Sequence, residues 1–146
     1  SDEIKNLSAK LTESRMTAAK EFEKSVKAEL EFLDMPKVVF FALIKEEFKN
    51  GQKELYPDGS DKIEFYISAN KGAEPQPLSK IASGGELARI MLAIKSTISN
   101  KNNAQTIIFD EIDTGISGQV GQRVGEKMYQ VSLGHQVLCI THLKAD

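Results

Sequence analysis

The sequence predicts an α/β fold, in which a mostly parallel sheet with flanking helices follows one long N-terminal helix. Residues 4–33 contain no Pro or Gly, and their apolar residues recur at steps of three and four, the spacing of one helix face. After residue 84, helical patterns alternate with short apolar runs, an order typical of parallel α/β architecture. A chain of 146 residues fits one domain with a substantial core.

The composition is that of an ordinary globular protein. Its 19 basic and 21 acidic residues give a formal net charge of −2, and the two kinds are mixed along the chain. This mixing argues against a basic face that binds nucleic acid by itself. Cys139 is the one cysteine, which excludes an internal disulfide, and no apolar run is long enough to cross a bilayer. With an N-terminal sequence unlike a signal peptide, these features predict a cytoplasmic protein without a membrane partner.

The N-terminal helix is too long for a domain of this size to cover. Thirty residues of helix reach about 45 Å, so we expect part of it to pair with a second helix in a coiled coil. A plain amphipathic surface helix is the alternative, because the charged residues between the apolar steps suit either arrangement. Met35 and Pro36 end the helix. They place a predicted boundary between residues 1–35 and 36–146.

Shorter patterns predict the elements after this helix. The apolar run at residues 38–44 suits a buried strand, and the polar stretch that follows, with Gly51 and Gly59, predicts a loop or hairpin. Alternation at residues 63–67 predicts a half-buried strand, and residues 70–77 a linker. Helices and strands are then expected in turn at residues 84–99, 105–109, 118–131 and 136–141.

A glycine-containing loop, Ser83, Gly84, Gly85 and Glu86, lies at the start of the helix predicted at residues 84–99. Unpaired backbone N–H groups and the positive end of the helix dipole accept phosphate at such a terminus, and adjacent glycines let an anion approach closely. A capping box formed by Ser83 and Glu86 is the alternative and needs no ligand. It does not explain two glycines, each of which gives up about 1 kcal/mol of helix propensity relative to Ala.

Two carboxylates, Asp110 and Glu111, follow directly after the strand predicted at residues 105–109. Because ligands bind at the carboxyl ends of strands in open α/β sheets, this pair is well placed for chemistry. An Asp there can hold Mg²⁺, and a neighbouring Glu can polarise an attacking water. His142 follows the last strand and would lie at the same edge of a parallel sheet. This position favours a phosphate contact over a purely structural role.

Three segments carry a family resemblance: LSKIASGGELARIMLAIK, TIIFDEIDTGISG and VLCITH. They resemble the head domain of ABC-type ATPases, in particular the SMC-like branch and its bacterial members that act in DNA double-strand-break repair and recombination. DEIDTGISG is the most specific segment, because transporter ATPases usually read DEP at this place and SMC proteins DEVDAALD. The similarity also reaches residues 11–37 and 63–72, so it covers almost the whole chain.

The resemblance implies a role for each matching motif. Residues 83–86 would be the signature loop, which closes over the γ-phosphate of ATP held by a partner head. Asp110 would end the Walker B strand and serve Mg²⁺, while Glu111 would be the catalytic base. ATP and Mg²⁺ are therefore the implied cofactors of the intact protein, and a nucleoid-associated location is implied with them.

The segment after the two acids has an implied role as well. Thr114, Gly115 and Ser117 would belong to the D-loop, which runs across a dimer of heads. Ser117 is also suited to cap the helix that follows. His142 would be the switch histidine that contacts the γ-phosphate.

Two departures from the family pattern limit what the chain can do alone. It contains no Gly-Lys pair, so the Walker A phosphate loop is missing. It also ends with Lys144, Ala145 and Asp146, where the family continues with Pro-Gln after the switch histidine and a Leu. We therefore expect a truncated C-terminal half of a head, residues 36–146, preceded by a coiled-coil exit helix, and inactive by itself.

Several partners are implied by this incompleteness. They are the N-terminal half of the same head carrying Walker A, a second head in an ATP-dependent dimer, and DNA through the full-length protein. Two alternatives stay open at this point. The chain could be a half-head of another SMC-like or transporter-type ATPase, or a non-enzymatic assembly module.

Overall fold

A computed structural model describes residues 2–81, 84–98, 106–116 and 118–141 of the chain. Its elements, in chain order, are α1 (Asp2–Phe32), β1 (Val39–Glu46), β2 (Phe48–Lys49), β3 (Gln52–Lys53), β4 (Asp61–Ser68), β5 (Gln76–Pro77), a 3₁₀ turn (Leu78–Lys80), α2 (Gly85–Ile98), β6 (Thr106–Asp110), α3 (Gly118–Ser132) and β7 (Gln136–Ile140). The predicted long helix and the later alternation of helices and strands are confirmed.

The strands pair in two different ways. β1 pairs with β4 antiparallel along its whole length, and β5 adds a short antiparallel edge to β4. β6 and β7 pair in parallel, joined through α3. The α/β class is therefore confirmed, but more of the described strand pairs are antiparallel than the sequence predicted. The reason lies in the connections: the segment between β1 and β4 contains the β2–β3 hairpin and no crossover helix, which parallel pairing would need.

The end of α1 is set by a Schellman motif. The Met35 N–H donates to the Leu30 carbonyl at 2.8 Å, and the Asp34 N–H donates to the Glu31 carbonyl at 3.2 Å. Asp34 takes the left-handed conformation, with φ of 62°, that this motif requires. Carbonyl groups in the last turn of the helix thus receive hydrogen bonds before Pro36, and the chain turns directly into β1.

Polar contacts fix the N-terminal half of α1 to Ser60 and to the first residue of β4, Asp61. The Ser8 and Ser60 hydroxyls lie 2.8 Å apart, and both residues are buried. Thr12 and Arg15 both donate to the Asp61 carboxylate, whose side chain is almost completely enclosed. This buried network holds half of the long helix against its own domain.

The C-terminal half of α1 belongs to the apolar core. Phe22, Phe40 and Phe65 form an aromatic cluster with ring centroids 5.3–5.7 Å apart, which joins α1 to β1 and β4. The side chains with least exposure in this core come from α1, α2 and the turn after β6, and include Val26, Leu30, Leu33, Leu92 and Ile112. Burial on this scale is the main stabilising term of the fold.

A second link ties α1 to α3. The Lys127 ammonium lies 2.6 Å from the Glu29 carboxylate and 4.6 Å from the centre of the Phe32 ring. Both charged side chains are largely shielded from water, at 11% and 25% exposed. α3, which follows the turn after β6, is thereby attached to the end of α1.

One face of the β6–β7 pair is left uncovered. Ile108, Leu138 and Ile140 are 57%, 47% and 52% exposed, whereas Ile107 and Phe109 on the other face of β6 are buried. Ile4, Leu7 and Met16 on α1 are also more than half exposed. The described residues therefore present two apolar surfaces without a cover, one on the sheet and one on the helix.

Candidate functional site

The predicted phosphate loop and the predicted acids lie at one cavity. It has a volume of about 280 Å³ and is lined by Gly84, which precedes α2, by Leu87, Ala88, Met91 and Lys95 of α2, and from β6 and its end by Ile108, Phe109, Asp110 and Glu111. The start of α2 and the carboxyl end of β6 thus converge. Residues separated by more than twenty positions in the sequence therefore line one cavity.

Glu111 has a strained backbone. Its φ is 55°, in the left-handed region that residues other than Gly seldom adopt. The Thr114 N–H donates to the Glu111 carbonyl at 3.1 Å, which closes a tight turn directly after β6. Such strain costs about 1–3 kcal/mol and concentrates at functional sites. This turn directs the chain away from the strand at the predicted catalytic residue.

The first hydrogen bond of α2 defines its N-cap position. The Ala88 N–H donates to the Gly84 carbonyl at 3.0 Å, the first bond of the helix, so Gly84 occupies the N-cap position. The third helical residue is then Leu87, which has no side-chain acceptor, and Glu86 stands one position too early. A capping box also needs Ser83, which lies outside the described residues, so that alternative stays a prediction.

The two glycines of the loop serve different purposes. Gly84 has φ of 150°, and a Cβ added there would meet no atom within 4 Å, so its backbone is open to a ligand. A Cβ on Gly85 would lie 2.1 Å from the Thr114 carbonyl oxygen. Gly85 therefore allows α2 and the segment after β6 to pack backbone to backbone.

Arg89 strengthens the same contact and was missed in the sequence analysis. Its guanidinium donates to the Thr114 carbonyl at 3.3 Å. Burial lowers the pKa of Arg89, and the Glu86 carboxylate opposes that shift. Its Nε atom is buried and has no hydrogen-bond partner among the described residues. The available signal was its spacing, since a residue four positions after Gly85 lies on the same helix face.

The predicted site residues have different outcomes. Gly84, Asp110 and Glu111 line the cavity, and Thr114 lies against the start of α2. Gly115 has φ of 72° in the turn. Glu86 instead lines a neighbouring cavity of about 360 Å³, on the side of β5. The remaining predictions, Ser83, Ser117 and His142, lie outside the described residues.

No helix within the described ranges is long and apolar enough to span a membrane. Among these residues, no group of three or more His, Cys, Asp or Glu side chains is arranged to hold a metal ion by itself. A site for Mg²⁺ does not require such a group, because this ion keeps several waters and is held by one or two carboxylates together with substrate phosphates. Asp110, exposed at the end of β6, fits that requirement.

No protein-family model matches the chain. Several curated proteins do. The chain is 46% identical over 136 residues to the DNA repair protein RecN of Halalkalibacterium halodurans, and 46% identical over 145 residues to that of Bacillus subtilis. RecN of Rickettsia bellii is 44% identical over 142 residues. These alignments include 92–97% of the chain, but it spans only about a quarter of the length of these relatives.

Solved structures with a similar fold are SMC head domains. The Smc head domain with a coiled coil and joint from Pyrococcus yayanosii superposes with a TM-score of 0.58 at 23% identity, over 88% of this chain and 22% of that one. The Smc head with an extended coiled coil from Pyrococcus furiosus, bound to the C-terminal domain of ScpA, superposes with a TM-score of 0.57 at 22% identity. That superposition covers 88% of this chain and 29% of that one. By sequence this chain is therefore a relative of the DNA repair protein RecN, and by fold it resembles an SMC head domain.

Proposed function

We propose that this chain is the C-terminal half of a RecN-like ATPase head, which acts in DNA double-strand-break repair and recombination. It would contribute the signature loop, the Walker B acid and the catalytic glutamate. The observation that carries the proposal is that the start of α2 and the acids Asp110 and Glu111 lie side by side, where the acids would serve ATP bound by this head and the start of α2 would reach ATP held by a second head. Neither motif alone would be as specific, since loops with glycine and paired acids occur separately in many proteins.

The start of α2 is suited to accept a phosphate. Its first N–H groups have no partner within the helix, and the helix dipole adds positive potential at this end. The open space around Gly84 lets an anion reach these groups. Ser83, on the sequence resemblance, would add its hydroxyl, and the phosphate would be that of ATP held mainly by a second head.

Asp110 and Glu111 would divide the remaining chemistry. Asp110 would hold Mg²⁺, which supplies charge neutralisation for the phosphates when bound. Glu111 would orient and deprotonate the attacking water, and its strained turn would fix its direction. Residues 114–117 would cross the head dimer, and His142 would contact the γ-phosphate.

The uncovered face of β6 and β7 supports an incomplete head. Residues 106, 108 and 110 alternate onto one face of β6, so Asp110 shares a face with the exposed Ile108. Leu138 and Ile140 extend this surface on β7 through the registered pairs with residues 108 and 110. An N-terminal half that covered this face would bring its Walker A loop beside Asp110. The exposed stripe on α1 would pair with the second helix of a coiled coil.

Replacing Glu111 with Gln in the longer protein tests the catalytic role. We expect ATP hydrolysis to fall by at least about a hundredfold while ATP-dependent dimerisation persists, because only the general base is lost. Glu126→Gln on the exposed side of α3, outside the cavity, is the matched control and should leave hydrolysis unchanged. Hydrolysis at the normal rate by the Glu111 variant would remove this residue from the mechanism.

Mixing this chain with a polypeptide that carries Walker A tests the division of the head. Neither part should hydrolyse ATP alone, and the mixture should. If no such mixture is active while the two parts still associate, the chain would be an assembly module without a role in hydrolysis.

A further inference from the structure

Arg89 connects α2 to the turn that carries Glu111. It lies four positions after Gly85 on the same helix, so both residues face the same neighbouring segment. The Arg89 guanidinium donates from Nη1 to the Thr114 carbonyl at 3.3 Å, and the Gly85 backbone lies against the same oxygen. One carbonyl of the turn is therefore contacted by two successive turns of α2.

Thr114 extends this contact to Glu111. Its carbonyl accepts the hydrogen bond from Arg89, while its N–H donates to the Glu111 carbonyl at 3.1 Å. Two hydrogen bonds thus lead from the side chain of Arg89 to the backbone of Glu111 through a single residue. A movement of Arg89 would therefore reach the residue proposed as the general base.

The backbone of Glu111 depends on such support. Its φ of 55° persists only where the surrounding contacts impose it. Ile112 and Asp113, in the middle of the turn, are buried, whereas Thr114 and Gly115 are exposed. The core thus anchors the first half of the turn, and the hydrogen bond from Arg89 restrains the exposed half.

This contact suits an arginine better than another cation. Burial lowers the pKa of Arg89, and the Glu86 carboxylate opposes that shift, but a guanidinium stays charged at neutral pH in either case. Its planar group presents several N–H donors in a fixed geometry, whereas a lysine is a point charge on a flexible stem. A lysine at this position would keep the charge but hold the carbonyl less firmly.

We propose that Arg89 is a positioning residue for ATP hydrolysis, which holds the turn after β6 so that the Glu111 carboxylate keeps its direction. Arg89 is not among the described residues that line the cavity with Asp110 and Glu111, so it acts through Thr114 and not on the nucleotide. The inference rests on the proposed function, because it takes Glu111 as the general base.

Steady-state hydrolysis by the longer protein tests this role. Arg89→Met should lower kcat by about tenfold or more, because a catalytic group displaced by about 1 Å can lose a hundredfold in rate. The KM for ATP should change by less than about twofold, since the nucleotide contacts are unaltered. Arg89→Lys should also lower kcat, but less. Arg123→Met on α3, which removes an arginine 3.8 Å from Asp34, is the control and should leave both constants unchanged.

Combination with Glu111→Gln separates positioning from a general structural effect. If Arg89 acts through Glu111, adding Arg89→Met to the Glu111→Gln protein should lower the residual rate by less than about twofold. A further loss as large as in the parent protein would overturn the proposal, because the arginine would then support folding or nucleotide binding by another route.

Hydrogen exchange provides a readout without nucleotide. In Arg89→Met and Arg89→Lys the Thr114 N–H should exchange faster than in the parent protein, since the turn would open more often, while the amides of β6 should be unaffected. Exchange at Thr114 as slow as in the parent protein would show that Arg89 does not restrain the turn.

The two proposals fail in different ways. Unchanged hydrolysis in Glu111→Gln would remove the general base, and the role of Arg89 with it. A large loss in Glu111→Gln together with a normal kcat in Arg89→Met would overturn only the positioning role, and the proposed ATPase function would stand.

Discussion

Gly85→Ala should destabilise the protein because the added methyl group has no room. Its Cβ would lie 2.1 Å from the Thr114 carbonyl oxygen and 2.9 Å from the carbonyl carbon, both of which are backbone atoms. Ordinary contacts begin at 3.4 Å, so α2 and the turn must separate by about 1 Å. Overpacking of this kind costs about 1–3 kcal/mol. The shift would also lengthen the hydrogen bond of 3.3 Å from Arg89 to the same carbonyl.

Helix propensity acts in the opposite direction and needs a control. Ala is favoured over Gly by up to about 1 kcal/mol in a helix, which offsets part of the packing cost. Gly125→Ala in α3 isolates this gain, because its Cβ would meet no atom within 4 Å. Urea unfolding followed by circular dichroism should therefore show a difference of about 2 kcal/mol between the two variants. For a chain of this size, the melting temperatures should differ by roughly 4–8 °C.

Equal stabilisation by both substitutions would refute this reasoning. In that case the contact between Gly85 and Thr114 would not be the reason for a glycine at this position. A second measurement separates packing from function. In the longer protein, Gly85→Ala should lower the proposed ATP hydrolysis, since the turn carrying Glu111 and Thr114 would move with the methyl group, while Gly125→Ala should not.

Three further predictions concern side chains that are buried or partly buried. Lys127→Met should lower the free energy of unfolding in urea by about 1–3 kcal/mol, because it leaves the shielded Glu29 carboxylate unpaired. Lys27→Met is the control: it removes an exposed ion pair of 3.8 Å and should change stability by less than about 0.5 kcal/mol. Equal effects of the two substitutions would contradict this ranking. Asp61→Asn should lower the melting temperature by several degrees, because it weakens an enclosed hydrogen-bonded network that contributes about 1–3 kcal/mol. An unchanged melting temperature would count against a stabilising role of that network. Burial raises the pKa of the Cys139 thiol. At pH 8 iodoacetamide should therefore react more slowly with Cys139 than with a free thiol, and urea should abolish the difference. A reaction rate that does not change in urea would contradict the raised pKa.

Local patterns in the sequence predicted most of the helices and strands, and they supplied the hypothesis for the site. The uninterrupted spacing of apolar residues identified α1, and the short apolar run before Asp110 identified β6, because each pattern depends only on neighbours along the chain. The position of Asp110 and Glu111 at the end of β6 followed from the rule that ligands bind at strand ends in α/β sheets. Motifs with a fixed spacing and a chemical purpose are the part of a site that sequence reveals most directly.

Long-range contacts were beyond those patterns. The antiparallel pairing of β1 with β4 depends on a connection without a crossover helix, which the periodicity of either strand does not report. The sequence could also not show that Gly85 faces the Thr114 carbonyl, because that contact joins two separate loops. The sequence pattern indicates phosphate binding as the reason for both glycines, while at Gly85 the close approach of the backbone provides a second reason.

The way α1 is attached determines how it can respond to force. The helix is about 46 Å long, and it is fixed near Thr12 by Asp61 and near Glu29 by Lys127. A helix fixed at one end could rotate about that point, whereas a helix fixed at two points resists rotation and deforms mainly by bending. If α1 continues into the coiled coil proposed above, tension along it would load the contact at Thr12 first and the attachment to α3 second.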